Sequence, residues 1–117
     1  FFPILDDIFI ECADKIIIPT FLDEVTTTGI FNFMKKIGLN KIKAIMPNRT
    51  HHTRLERIYY SELFSAFEHT NIILTVPIKH SAEIAKLINT GKTLWETKIK
   101  ILDPVRSEFK KVLEVIK

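Results

Sequence analysis

This sequence predicts an α/β fold: a three-layer arrangement of a parallel sheet with flanking helices. Three observations carry that expectation. Stretches with apolar residues at helical spacing alternate with short β-branched runs, the links between them are short, and each strand-like run ends at a proline. The expected order is α-β-α-β-α-β-α-α. Strands that alternate with helices in this way imply right-handed crossovers and parallel pairing. At 117 residues the chain suits one core, so residues 1–117 are expected to form a single α/β domain.

The elements follow in order. Ile4, Leu5, Ile8, Phe9 and Cys12 recur on one face of a first helix. Residues 15–20 form a short apolar run ending near Pro19, expected as a strand buried on both faces. Residues 26–28 are threonines that offer N-caps to a second helix, with Ile30, Phe33, Met34 and Ile37 inward and Gly38 as its stop. Residues 42–46 read as the second strand, closed by Pro47. Leu55, Ile58, Tyr59, Leu63, Ala66 and Phe67 mark the inner face of a third helix, with Arg54, Arg57, Ser61 and Glu68 opposite. Residues 72–76 are the third strand, closed by Pro77. Ser81 is placed to cap a fourth helix, with Ile84, Ala85 and Ile88 inward and Gly91 at its end. Asp103-Pro104 reads as an N-cap followed by a first-turn proline. The last helix then carries the stripe Val105, Phe109, Val112, Leu113 and Ile116, expected to pack on the sheet.

Composition narrows the classes. Hydrophobic residues are 46% and charged residues 26%, as in ordinary globular domains. No apolar run reaches the roughly 20 residues that cross a bilayer. The single Cys12 permits no internal disulfide, which fits a cytoplasmic setting, and its expected role is a small apolar residue on a helix face. The net charge of +3 permits contact with nucleic acid without requiring it. No secretory leader pattern is seen. The opening Phe1-Phe2-Pro3 runs straight into a helical pattern without a methionine, and three strands leave a sheet edge open. Both features lead to the expectation that this is part of a longer chain with further strands upstream.

The chain holds no self-contained catalytic set. Its glycines, Gly29, Gly38 and Gly91, cannot write a phosphate-binding loop, and no Gly-x-Ser-x-Gly elbow exists. His51-His52 has no further ligand at metal-binding spacing and reads as a solvated loop. Asp6-Asp7 and Asp23-Glu24 read as solvated faces. What remains are the strand ends, because parallel α/β sheets bind ligands outside the carboxyl ends of their strands. These ends are Pro19-Thr20, Pro47-Asn48-Arg49-Thr50 and Val76-Pro77-Ile78-Lys79. Asn48 offers donors and an acceptor to a base edge, and a proline-stiffened segment can present backbone groups beside it. In the competing reading each proline only ends its strand.

The same segments resemble a known family. Ala13-Asp14-Lys15-Ile16-Ile17-Ile18-Pro19, with Gly29 ten residues after the proline, resembles a signature of the ParA/MinD (Soj-like) deviant Walker ATPases. Ile45-Met46-Pro47-Asn48-Arg49-Thr50 and Thr75-Val76-Pro77-Ile78-Lys79 resemble its strand exits, and Ser81-Ala82-Glu83-Ile84 with Gly91-Lys92-Thr93-Leu94 and Glu96 resemble its closing run. The resemblance spans nearly the whole chain and implies the C-terminal half of a P-loop NTPase fold.

The family's phosphate loop and Walker B region lie upstream of the matched part, and Phe2-Pro3-Ile4-Leu5 would fall just after Walker B. No catalytic or metal-binding residue is therefore carried over, and this chain alone is not expected to hydrolyse ATP. The resemblance implies that the complete protein is an ATPase binding ATP and Mg²⁺, with Asn48, Arg49, Pro77 and Ile78 at the adenine edge. It also implies an ATP-bound homodimer that binds nonspecific DNA at the nucleoid and a ParB-type partner, in plasmid or chromosome partitioning. The DNA candidates by position are Arg49, Arg54, Arg57, Lys79, His80, Lys86 and Lys92. MinD-like relatives end in a membrane helix; here the last stripe is expected to be core, so no membrane contact is expected. Two alternatives stand beside this reading: a stand-alone interaction module without nucleotide that uses the open sheet edge, and a MinD-like membrane-associated positioning ATPase of the same family.

Overall fold

In the computed structural model, residues 3–117 are described. Phe1 and Phe2, which the expected position after Walker B includes, lie outside them. The elements are α1 (Pro3–Cys12), β1 (Ile16–Thr20), α2 (Glu24–Ile37), β2 (Ile42–Pro47), α3 (Arg54–Phe67), β3 (Ile73–Leu74), α4 (Ala82–Asn89), a 3-10 turn (Lys100–Leu102) and α5 (Asp103–Ile116). The strands form one parallel sheet in the order β1-β2-β3. The α/β class, the element order and the parallel pairing are as the periodicities predict.

The core begins at β2, the central strand. Ile42, Ala44, Ile45 and Pro47 are all buried. The register of β1 against β2 shifts opposite Lys43, with Ile16 beside Ile42 and Ile17 beside Ala44. One extra residue in β2 changes the side-chain alternation. Ile42 and Ile45, three residues apart, therefore join one cluster with Leu22, Ile30, Met34, Leu63, Phe67 and Ile72 from the α2 and α3 side. Phe31 and Phe67 stack across these helices with centroids 6.0 Å apart. Beyond the sheet, α5 lies against β2. Its Val105 and Val112 are buried and Phe109 and Ile116 half-buried, but Leu113, expected in the same stripe, is exposed.

Several local expectations are corrected. β1 is covered on one face only: Ile18 packs on the cluster, whereas Ile17 is 39% exposed and Pro19 is exposed. α2 is capped by Asp23, whose carboxylate accepts from Thr26 N at 2.7 Å, and not by residues 26–28. Gly29 consequently lies inside α2.

α3 turns Tyr59, Tyr60, Leu63 and Phe67 inward and leaves Leu55, Ile58 and Ala66 exposed. It begins with a capping box in which Thr53 and Glu56 bond reciprocally. In α4 the inward residues are Leu87 and, half-buried, Ile84; Ala85 and Ile88 face out, and Ser81 makes no side-chain cap. Asp103 is already helical, reached through the 3-10 turn, and its carboxylate pairs with Arg106 at 2.6 Å. Cys12 and the expected inner face of α1, Ile4, Leu5, Ile8 and Phe9, are exposed. That helix is fastened from its polar side by Lys36–Asp7 at 3.3 Å and by Lys41, which donates to the Ile10 and Glu11 carbonyls at 2.9 and 2.7 Å.

The third strand is shorter than residues 72–76, and the reason lies in two prolines. Thr75 N donates to Ile45 O at 3.0 Å, so the next rung would need Pro47 N to reach Thr75 O and residue 77 to reach Pro47 O. Neither proline has an N–H to give. The ladder breaks after Leu74, and the Thr75 carbonyl takes the Tyr60 hydroxyl instead, at 3.4 Å. Pairing resumes one residue late, with Ile78 N donating to Pro47 O at 3.0 Å.

Candidate functional site

That one-residue slip builds the candidate site. Beyond β2 and β3 the two exits stay stitched: Thr50 N donates to Ile78 O at 3.0 Å, Thr50 Oγ1 reaches the same carbonyl at 3.2 Å, and His80 N donates to Thr50 O at 2.8 Å. Thr50 and Lys79 form an isolated parallel bridge. On the other side Asn48 N donates to Thr20 O at 2.8 Å, which ties in the exit of β1. The three strand ends thus form one ledge on the carboxyl side of the sheet.

The ledge carries polar groups on a rigid floor. Asn48 is half-buried, and its Oδ1 accepts from Arg49 N at 2.9 Å, so the carboxamide is held at a fixed angle. Among the described residues its NH₂ group has no hydrogen-bond partner. Arg49 takes a left-handed backbone with φ of 53°, uncommon for a residue with a side chain. Its guanidinium lies 5.6 Å over the Phe21 ring. Pro77 is half-buried, while the Ile78 side chain is fully buried and its N–H and C=O are both engaged in the stitching. Ile78 therefore positions the ledge from below.

Next to it His52, also left-handed with φ of 57°, lines a cavity of about 250 Å³ with Glu56, Arg57, Tyr60, Ser61 and Pro77. The histidine that pairs in space with His51 is not its neighbour His52 but His80, with ring centroids 4.7 Å apart. Glu56 holds this loop. Its carboxylate accepts from His51 N, Thr53 N and Thr53 Oγ1 at 2.9 to 3.1 Å. Partial burial pushes the Glu56 carboxyl up, but these hydrogen bonds and the nearby His51 outweigh it and leave it below the usual glutamate value. Burial raises the Tyr60 hydroxyl above its ordinary range, so it stays a donor to Thr75 O.

The basic candidates are spread over several elements. Arg54 and Arg57 share a shallow depression on α3 with Ile58, Ser61, Glu62 and Ser65. Arg49, Lys79 and His80 belong to the ledge, where Lys79 N donates to Glu108 at 3.0 Å. Lys86 pairs with Glu83 at 3.1 Å on α4. Lys92 lines a separate hollow against α5.

Two contributors carry no sequence signal, and a third carries one. Phe21 gives no signal beyond following a strand. Arg106 donates to the Leu94, Thr97 and Ile99 carbonyls and so holds the 94–99 segment, with nothing in sequence to mark it. Glu56 was legible, since Thr53-x-x-Glu56 has the spacing of a capping box.

Chemically, the ledge offers a fixed amide, a cation stacked on an aromatic ring and a flat proline surface. This suits a planar polar ring. No group of three or more His, Cys, Asp or Glu residues able to hold a metal is found among the described residues, and no described helix is long and apolar enough to cross a membrane. No protein-family model matches the chain, and no curated protein or solved structure matches it.

Proposed function

We propose that this chain is the C-terminal part of a ParA-type ATPase domain with a P-loop NTPase fold, acting in plasmid or chromosome partitioning. The observation that carries the reading is the ledge. Three parallel strands end on the same side, and Asn48, Arg49 and Pro77 are brought together there by the Thr50–Ile78 and Asn48–Thr20 bonds. Ligands of open α/β sheets bind at that side. Asn48 would hydrogen-bond the edge of an adenine, Pro77 would pack on its face, and Arg49 would stack or reach a phosphate.

Further features support a longer domain. Among the described residues β1 leaves its outer edge unpaired, Ile17 on the sheet face is exposed, and so are Ile4, Leu5, Ile8 and Phe9 of α1. Additional strands and helices would cover all three. The upstream part would supply the phosphate loop, the Mg²⁺-binding hydroxyl and the residue that orients water; no residue of this chain is assigned to them. The complete protein would dimerise around ATP, bind DNA nonspecifically through Arg54 and Arg57, and release it on hydrolysis stimulated by a ParB-type partner. The coding sequence upstream of Phe1 is the test: a Lys-Gly-Gly-x-Gly-Lys-[Ser/Thr] loop is expected there, and its absence overturns the reading.

A second reading, the stand-alone interaction module, draws on Pro19. Thr20 O and Ile16 N both point to the β2 side, so Ile17 and Pro19 direct their backbone groups outward. Pro19 removes one donor from that open edge, a device that blunts edge pairing.

A further inference from the structure

The α4 and α5 side of the molecule carries a feature that the ledge does not use. Between α4, residues 92–95 and α5 lies a hollow of about 340 Å³, lined by Leu87, Ile88, Lys92, Trp95, Phe109 and Leu113 among others. Its walls are apolar and poorly covered: Ile88 is 71% exposed, Trp95 50% and Leu113 46%. Apolar side chains gathered around a concavity and rimmed by charge mark an interaction surface.

The charge of this part of the chain is in positive excess. Residues 81–117 hold eight Lys and Arg against five Asp and Glu, an excess of three that equals the +3 of the whole chain. Four of those carboxylates are already engaged. Glu83 pairs with Lys86, Asp103 with Arg106, Glu96 accepts from Thr93 N and Glu108 from Lys79 N. Only Glu114 is left. Among the described residues Lys92 and Lys110 have no ion-pair partner, and Lys110 Nζ lies 6.0 Å over the Trp95 ring.

We infer that this hollow docks an amphipathic helix of a partner protein whose flanking residues are acidic. A cleft between two helices accepts a ridge of apolar side chains at i, i+3, i+4 and i+7. The unpaired lysines on its rim select carboxylates beside that ridge and speed encounter. A DNA backbone would use the lysines but not the apolar floor, and a membrane surface would not fill a hollow. The inference is independent of the ledge and of any nucleotide.

Trp95 is the one tryptophan, so its emission reports the hollow directly. The probe is a synthetic helical peptide with Leu and Phe at i, i+3, i+4 and i+7 and Glu elsewhere. A matched peptide with Lys in place of Glu, a DNA duplex, and vesicles of phosphatidylcholine with phosphatidylserine complete the set. The Glu peptide is expected to give a saturable blue shift and to bind about tenfold tighter than the Lys peptide. The double substitution Lys92→Glu/Lys110→Glu is expected to reverse that order. Ile88→Glu, at an exposed position, is expected to abolish binding while the circular dichroism spectrum stays unchanged. Equal affinity for the two peptides, no saturable shift, or a stronger response to DNA or vesicles overturns the inference.

Discussion

Glu56 ties together the loop that carries both histidines and the start of α3 through four hydrogen bonds from His51 and Thr53. Because its carboxyl titrates below the usual range in the fold, it stabilises the native state above the ordinary glutamate pKa of about 4.3, and that stability is lost as pH falls through the lowered value. Glu56→Gln is therefore expected to flatten the acid limb of a stability curve below about pH 4. An acid limb as steep as the parent's would contradict this role. Thr53→Ala removes the other half of the box and is expected to cost about 1 kcal/mol in urea denaturation.

The arginines also belong to the residue scale. If Arg54 and Arg57 meet phosphates, replacing either with alanine weakens DNA binding and lowers the slope of log affinity against log salt by about 1. An unchanged slope removes that residue from the DNA surface.

Elements show where sequence reasoning succeeds and where it stops. The helices and strands, their order and their parallel pairing were legible because each apolar run has a length and period of its own. Helix phase was less so. Leu55 and Ile58 look as core-worthy as Leu63, and only packing on residues distant in sequence decides which row turns inward. β3 was overextended because its apolar run continues through Val76, while the facing prolines Pro47 and Pro77 cut the ladder. The strand ends were legible as a candidate site. The slip that joins them, the His51–His80 pairing and the Phe21 platform arise from contacts between segments distant in sequence, which no local pattern encodes.

Gly29 makes a further element-scale test. It lies within α2 with open space where a side chain would project. Gly29→Ala is expected to stabilise the isolated chain by about 0.5–1 kcal/mol in thermal or urea unfolding. Destabilisation would show that something occupies that space.

At the scale of the molecule the surface is too large for its mass. The accessible area is 8333 Å², against about 6,600 Å² for a compact monomer of 13.6 kDa. The radius of gyration is 15.6 Å, against about 13 Å for a compact chain of this length. The excess of roughly 1,700 Å² is about twice one partner's share of a standard interface. The proposal accounts for it by an upstream half that pairs with β1, covers Ile17 and buries the α1 stripe. An incoming parallel strand would find the N–H and C=O of Ile17 and the C=O of Pro19, and no donor at Pro19.

The most direct measurement is equilibrium nucleotide binding by the protein that carries the upstream coding sequence, with and without Asn48→Ala. The account predicts Mg²⁺-dependent binding of ATP in preference to GTP. It also predicts that Asn48→Ala weakens ATP binding about tenfold, the effect of losing a buried hydrogen bond, with the melting temperature unchanged. No ATP binding by the longer protein, or equal affinity in the variant, would contradict it.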